Sequence, residues 1–305
     1  MRVMFIGAGA VGSAAALETA RAGYATVYLY DIDTERARGK AMDICQALDH
    51  PYLLEHCADM GKAAEADLVV VTAGMARQKG MTRADLAAGN IGIVSSIAGD
   101  IASAAPEVPV MVVTNPSEAL VYLIRRRWPA LRVFGFGCSL DQWRYRRFVA
   151  QALGCNAERV SAIVMGMHSD AMIPLSRLAS VDGIPLGALL EPGAVAEIEL
   201  RTRTAGTDIV NALGDHSGFV AAGRAIASFI GSLVNGNGGI YPVSIMTDGA
   251  YGIADACLAL PSRVSPSGIV PMELELTAAE LSRLTSCAES VLQTARALES
   301  VITGR

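Results

Sequence analysis

The residues with the most chemistry to offer are Gly166-Met167-His168-Ser169-Asp170 and three arginines upstream of them, Arg77, Arg83 and Arg144. An imidazole has an ordinary pKa near 6.5, which suits a group that takes and returns a proton around neutral pH. An isolated histidine is more often a satisfied structural residue. Here a glycine precedes it, Asp170 follows it, and the motif ends an apolar run, Arg159–Met165, that reads as a strand. Asp141 is the candidate carboxylate for the other ring nitrogen. Arg144 lies one helical turn after Asp141, so both can face one site. Arg77 and Arg83 lie in a polar stretch bracketed by Gly74 and Gly80, a loop that could close over a bound anion and exclude water. Arg146 and Arg147 cannot both join Arg144 on the inward face and are expected in solvent or at an interface. One proton carrier and several fixed positive charges suit the redox chemistry of an anionic hydroxy acid, provided that a two-electron carrier is bound nearby.

The start of the chain supplies that provision. Gly7-Ala8-Gly9-Ala10-Val11-Gly12 follows the strand-like Val3–Ile6 and opens a helix. Glycines there let the backbone turn sharply and approach a pyrophosphate, while the helix N-terminus offers free N–H groups and partial positive charge. Asp31 ends the next strand about 20 residues on, where a carboxylate accepts hydrogen bonds from ribose hydroxyls and repels a 2′-phosphate; NAD is expected over NADP. Asn115-Pro116 comes after a third strand, with the amide at the carboxyl end where ligands of such sheets bind.

These residues need a scaffold of alternating elements. Strands are expected at Val3–Ile6, Thr26–Tyr30, Leu68–Val71, Val110–Val113 and Val133–Phe136, short apolar runs typical of strands buried on both faces. Helices are expected at Val11–Ala22, at Thr34–Leu48 with Asp33 as N-cap, at Met81–Ala105 and at Ser117–Arg127. Strand and helix alternating in this way imply a doubly wound parallel α/β sheet. The second half reads as α+β: helices at Ala194–Leu213 and Gly218–Val234, strands at Ile240–Thr247 and Ala254–Leu260 around an Asp248-Gly249 turn, and a final helix from Thr277. Glu280 completes a capping box there, and Leu281, Leu284, Val291, Ala295 and Leu298 form its apolar face. Two domains are expected, 1–142 for the nucleotide and 143–305 for the substrate, with a soft boundary near Asp141–Cys155.

Composition narrows the classes. A net charge of −5 argues against a nucleic-acid surface, which needs a basic stripe. Hydrophobic residues reach 52%, charged residues 18%, and mean hydropathy is +0.37; so apolar a chain is expected to form a homo-oligomer. The six cysteines have no C-x-x-C spacing, so no metal site is expected and the thiols read as free in a reducing compartment. With no apolar leader, the chain reads as cytoplasmic. The most membrane-like stretch, Phe219–Val234, contains Arg224 and reads as a buried helix at an interface, not a span.

Over essentially its full length the sequence resembles the malate/lactate dehydrogenases. The resemblance is carried by Gly7–Gly12, Asp31, Thr72-Ala73-Gly74 leading to Arg77 and Arg83, Asn90, Val113-Thr114-Asn115-Pro116, Leu140-Asp141 with Arg144, and Gly166-x-His168-x-Asp170. It implies an N-terminal Rossmann domain, a C-terminal catalytic domain, NAD as cofactor and a tricarboxylic acid cycle reaction. By position, His168 is the proton carrier and Asp141 orients it. Arg144 holds the substrate carboxylate, and Arg83 polarises the reacting carbonyl. Arg77 stands where malate enzymes carry an arginine for a second carboxylate and lactate enzymes typically carry glutamine, so a small dicarboxylate is implied. Gly7, Gly9, Ala10, Val11, Gly12, Asp31, Thr72, Ala73, Gly74, Asn90, Val113 and Asn115 belong to the cofactor side, with Asn115 also reaching the substrate. Four departures stand out. Ser169 replaces a glycine, which would add strain if that backbone needs positive φ. Ala76 replaces a frequent proline, His50–Ala66 is short, and Ser217-Gly218 alters a wall position.

Three rivals remain. A lactate or other 2-hydroxymonocarboxylate dehydrogenase differs in the use of Arg77. A glycosidase that uses NAD would need a metal held by cysteine and histidine, yet Thr114 precedes Asn115 and no cysteine sits beside His168. A non-enzymatic dinucleotide sensor would need neither His168 nor the arginines.

Overall fold

The computed structural model describes all residues except 76–82, 215–216, 237–238 and 304–305, and no side chains at 83, 84, 86 and 300–303. The first half alternates as its apolar runs require: β1 (Arg2–Ile6), α1 (Ala10–Arg21), β2 (Thr26–Tyr30), α2 (Thr34–Gln46), β3 (Leu54–His56), β4 (Leu68–Val71), α3 (Arg83–Ala104), β5 (Val110–Val112), α4 (Ser117–Arg127), β6 (Val133–Gly135) and α5 (Ser139–Leu153). The Asp33 carboxylate accepts from the Arg36 N–H and caps α2. Every residue of β4 and β5 is buried, because helices cover both faces of the sheet. The short His50–Ala66 segment still contributes an edge strand, β3, paired to β2 at Val27, Tyr28 and Leu29.

The second half adds β7 (Val160–Ser161), β8 (Val164–Met165), β9 (Ile173–Pro174), β10 (Ser180–Val181), β11 (Ile184–Pro185), α6 (Pro192–Leu213), α7 (Val220–Asn235), β12 (Ile240–Met246), β13 (Cys257–Ser265), β14 (Gly268–Pro271) and α8 (Ala278–Thr303). The main sheet has the order β14-β13-β12-β6-β5-β4-β1-β2-β3. Its β3-β2-β1-β4-β5-β6 portion is parallel, and β12 to β14 continue it antiparallel. The strand order reverses between β1 and β4, so a crevice opens outside their carboxyl ends, the usual ligand position in such sheets.

Several sequence expectations are corrected. Arg159–Met165 is not one strand: β7 pairs with β10 and β8 with β9, in two separate small sheets. Buried Ala162 and Ile163 carry the chain from one to the other. The strand expected at Ala254–Leu260 begins at Cys257 and runs to Ser265. Asp248 and Gly249 do turn the chain, with φ of 47° and 95°, but a helical turn at Ala250–Gly252 lengthens the connection before Thr247 N–H meets the Ala256 carbonyl at 2.8 Å. On α8 the capping box forms reciprocally, Glu280 N–H to Thr277 Oγ1 and Thr277 N–H to Glu280 Oε2. Leu284, Val291, Ala295 and Leu298 are buried while Leu281 is 38% exposed, so the docked stripe begins one turn later than expected. Each large side chain on that stripe contributes roughly 1.5–3 kcal/mol of burial.

The inner face of the apolar α7 is covered within its own chain. It packs on α1 so closely that a Cβ at Gly223 would lie 2.7 Å from that of Ala14. Phe229 on its inner face meets Phe134, Phe136 and Tyr241, with ring centroids 6.1, 6.0 and 5.0 Å away. Among the described residues no helix is long and apolar enough to cross a membrane.

Candidate active site

The turn after β1 sits at the reversal point of the sheet. Gly7 has φ +114°, and a Cβ there would come within 2.5 Å of the Ala73 nitrogen. Gly12 packs its backbone onto the same turn, with room for no Cβ: one would lie 1.9 Å from the Gly7 carbonyl oxygen. Gly9, by contrast, has nothing within 4 Å of its Cβ position and no side chain caps α1 behind it. An exposed, uncapped helix N-terminus of this kind can cradle a pyrophosphate. The Thr72 hydroxyl donates to the Gly7 carbonyl at 3.0 Å and ties β4 to the turn. Asp31 follows β2. Its Oδ2 accepts from Ala8 N–H at 2.7 Å and its Oδ1 from Asp33 N–H at 3.0 Å, which fixes the carboxylate beside the turn.

Asn115, in a cis peptide bond with Pro116, stands at the carboxyl end of β5. Asn90 is buried between it and the first residues after β4: its amide donates to the Asn115 carbonyl at 2.8 Å and accepts from Met75 N–H at 2.7 Å. Thr114 Oγ1 donates to the Ala73 carbonyl at 2.7 Å. The strand ends are thus cross-braced at the floor of a cleft of about 920 Å³.

At the other end of this cleft, His168 Nδ1 lies 2.5 Å from Asp141 Oδ2. A carboxylate can only accept, so Nδ1 donates and Nε2 is left to exchange a proton. Asp141 is fully buried, the histidine side chain 25% exposed. Arg144 Nη1 approaches Asp141 Oδ1 at 3.4 Å, as their spacing on α5 requires. The Asp141 charge pushes the His168 pKa up from 6.5, its hydrogen bond and Glu118 add to this, and burial and Arg144 oppose it. The protonated imidazole therefore persists above its ordinary range.

The backbone before the histidine is held by Gly166, which exchanges two hydrogen bonds with Ala259 at 2.9 and 2.7 Å. Gly166 has φ +102°, so glycine is needed there. Ser169 is outside the positive-φ region; its Oγ accepts from Ala171 N–H at 3.1 Å and closes the turn, so the strain considered for serine does not arise.

Three comparisons place the chain. A family model described as the lactate/malate dehydrogenase NAD binding domain matches residues 1–135, and one described as the lactate/malate dehydrogenase alpha/beta C-terminal domain matches residues 138–300. The chain belongs to the lactate/malate dehydrogenase family. A malate dehydrogenase of Parabacteroides distasonis is 37% identical, over 98% of each chain. The apo structure of the malate dehydrogenase from Picrophilus torridus superposes with a TM-score of 0.89 at 34% identity, covering 99% of this chain and 98% of that one. A lactate dehydrogenase from Eimeria maxima, solved with NADH and oxamate, superposes with a TM-score of 0.91 at 26% identity, covering 99% and 95%.

Within this lactate/malate dehydrogenase fold, one cleft is lined by Gly9, Ala10, Val11, Thr72, Gly74, Asn90, Val113, Asn115, Asp141, Arg144 and His168. Gly7, Gly12 and Ala73 lie beneath the turn as packing, and Asp31 stands beside it. Arg77 and Ala76 lie outside the described residues, as does the side chain of Arg83, whose backbone opens α3. Ser217 and Gly218 line the cleft wall. Arg147 is exposed as a residue, but its guanidinium stacks 3.4 Å from the Trp143 ring centroid, and burial of that group pushes its pKa down to about 10. Arg146 is half-buried: Nη2 donates to the Ala157 carbonyl at 3.1 Å, and Nε is buried without a partner. Among the described residues no group of acids, histidines and cysteines could hold a metal.

Sequence reading gave no role to several residues of the cleft wall, Arg203 and Glu118 among them. Arg203 of α6 pairs with Glu199 at 2.9 Å and donates to the Met172 carbonyl at 3.5 Å. Glu118 of α4 is 3% exposed beside His168. The only signal for Glu118 was an acid three residues past Asn115, which reads as an ordinary first-turn helix charge.

Proposed function

We propose that this chain is an NAD-dependent malate dehydrogenase that interconverts (S)-malate and oxaloacetate. The observation that carries the reading is the buried Asp141–His168 pair at 2.5 Å, beside Arg144 and in one cleft with the open glycine turn. The residues fit the cofactor: Gly9 leaves room at an uncapped helix N-terminus, and Asp31 offers a fixed carboxylate for a ribose. When bound, NAD supplies the group that accepts or returns the hydride. His168 Nε2 takes the proton of the substrate hydroxyl, and Asp141 stabilises the imidazolium that results. Arg144 pairs with the substrate carboxylate. In this reading Arg83 polarises the reacting carbonyl and Arg77 binds the second carboxylate.

The choice of a dicarboxylate rests on Arg77 in the sequence and on curated relatives named malate dehydrogenase at 34–37% identity. Residues 1–142 would bind the nucleotide and 143–305 carry the substrate chemistry. The enzyme would work in the cytoplasm, in the tricarboxylic acid cycle, as a homo-oligomer. The test follows NADH absorbance with oxaloacetate and with pyruvate. Oxaloacetate should be favoured in kcat/KM by at least about a hundredfold, since a site built for a charged group rejects the analogue lacking it. Arg77→Gln should move the ratio toward pyruvate. Equal rates in the parent enzyme would overturn the malate assignment in favour of a broad or lactate-type enzyme, and no turnover of either would favour a sensor.

A further inference from the structure

One buried acid in the cleft is left without a role by this chemistry. Glu118 sits in the first turn of α4, and its Oε1 accepts from the Ser244 hydroxyl of β12 at 2.8 Å and from the main-chain N–H of His168 at 3.3 Å. Ser244 is itself fully buried and is the residue of β12 that pairs with β6, at Gly135. One carboxylate thus joins α4, the seam between the parallel and antiparallel strands, and the histidine backbone. We propose that Glu118 is a positioning residue of the reaction, anchoring the main chain at His168 and serving with Asp141 as a second negative charge for the protonated imidazole. The inference rests on the reading of His168 as the proton carrier.

A purely structural account of Glu118 is available. An acid in the first turn of a helix is favoured by the helix dipole, and a carboxylate with two donors is a workable buried strut. What the strut alone does not supply is charge. Among the described residues, the charged groups acting on His168 are Asp141 and Arg144 from α5 and Glu118 from α4. Asp170 lies on its own loop. From α6 and α8, Arg203 and Arg283 reach the Met172 carbonyl four residues on, and Arg203 is paired with Glu199. The thiols that feel Glu118, on Cys138, Cys257 and Cys287, are pushed up chiefly by burial, Cys287 to about 11. They are uncharged at neutral pH. Glu118 therefore adds to Asp141 in favouring the imidazolium, against burial and Arg144.

Glu118→Gln separates the two accounts, because the amide oxygen can still accept both hydrogen bonds while the charge is gone. The experiment is an NMR titration of the His168 ring in the parent, Glu118→Asp and Glu118→Gln proteins without substrate. The expected midpoints fall in that order, since Asp keeps the charge one methylene further away. The upper limb of kcat/KM for oxaloacetate should move to lower pH by the same amount, with NADH affinity unchanged. A midpoint that stays at the parent value in Glu118→Gln overturns the proposal and leaves a strut. If Glu118→Gln fails to fold, Glu118→Met, which is of similar length and uncharged, takes its place, and an unshifted midpoint there overturns the proposal equally. A parent enzyme that reduces neither oxaloacetate nor pyruvate would refute the malate dehydrogenase reading, while the midpoint series still decides on Glu118.

Discussion

The glycine turn and the histidine site are built at opposite scales. The turn is six consecutive residues whose closest partners are their own backbone and the ends of β2 and β4. The site draws Glu118, Asp141, Arg144, His168 and Ser244 from α4, α5, the loop after β8 and β12, with one hydrogen bond spanning 126 residues. In the turn, backbone geometry selects the residue type, and a Cβ is either impossible or without consequence for the fold. At the site, backbone geometry only delivers the residues, and their charges do the rest. A defect in the turn should therefore appear first as lost stability or lost nucleotide binding. A defect at the site should appear as lost turnover in a protein that still folds.

The largest expected effect is at the site. Asp141→Asn keeps the shape of the pair and removes its charge, so kcat for oxaloacetate should fall by about a thousandfold, with NADH affinity near normal by fluorescence titration. The sign of the pH effect follows from the direction of the shift. Asp141 raises the His168 pKa, and reduction of oxaloacetate needs the protonated ring, so the upper limb of the variant's residual activity should lie at lower pH. The raised pKa also contributes stability that is complete below 6.5 and is lost as pH rises through the folded value. The stability gap between parent and variant should therefore be widest in acid and narrow toward alkaline pH. Turnover retained in the variant would show that the pair is structural and that the contrast between the regions is misplaced.

Readability in the sequence followed the same division. The five strands expected in the first half, and the helices α1, α2 and α4, lie within two residues of their expected ends, because buried parallel strands are continuous apolar runs and Asp33 marks a cap; the edge strand β3 was not expected, and the expected start of α3 at Met81 lies outside the described residues. The capping box at Thr277 and Glu280 was equally plain. The small sheets were not. Strands of two residues, such as β7 and β8, are too short to show a period, and the tertiary pairing that splits Arg159–Met165 has no local signature. At the site, Asp141 and Arg144 could be grouped by helical spacing, but their meeting with His168 rested on resemblance. Glu118 escaped because a buried acid and a solvated first-turn acid look alike until β12 and the histidine loop are seen to cover it. Arg146 escaped for the matching reason: its neighbour Arg147 meets solvent, and only the turn at Ala157 decides between them.

Gly12→Ala should bring the largest loss of stability in the turn. Its Cβ would lie 1.9 Å from the Gly7 carbonyl oxygen and 2.6 Å from Thr72 Oγ1. Backbone on one side and the braced Thr72 on the other leave no flexible side chain to give way, so α1 must back off the sheet. Overpacking of this kind costs about 1–3 kcal/mol. Denaturant unfolding should show that loss, together with weaker NADH binding.

Gly9→Ala should separate stability from binding within the same six residues. Gly9 has φ −71°, which any residue adopts, and nothing stands within 4 Å of its Cβ position. Unfolding should move by no more than about 0.5 kcal/mol. The new methyl would instead occupy the space over the first turn of α1, where a pyrophosphate must approach the N–H groups. Displacing it even slightly lengthens several charge-assisted hydrogen bonds, so NADH affinity should weaken by about tenfold, while Gly12→Ala loses both properties. If Gly9→Ala destabilises the fold as Gly12→Ala does, the open cradle is wrong. If it leaves NADH affinity untouched, the phosphates bind elsewhere along the cleft, and the glycine at position 9 answers only to the turn.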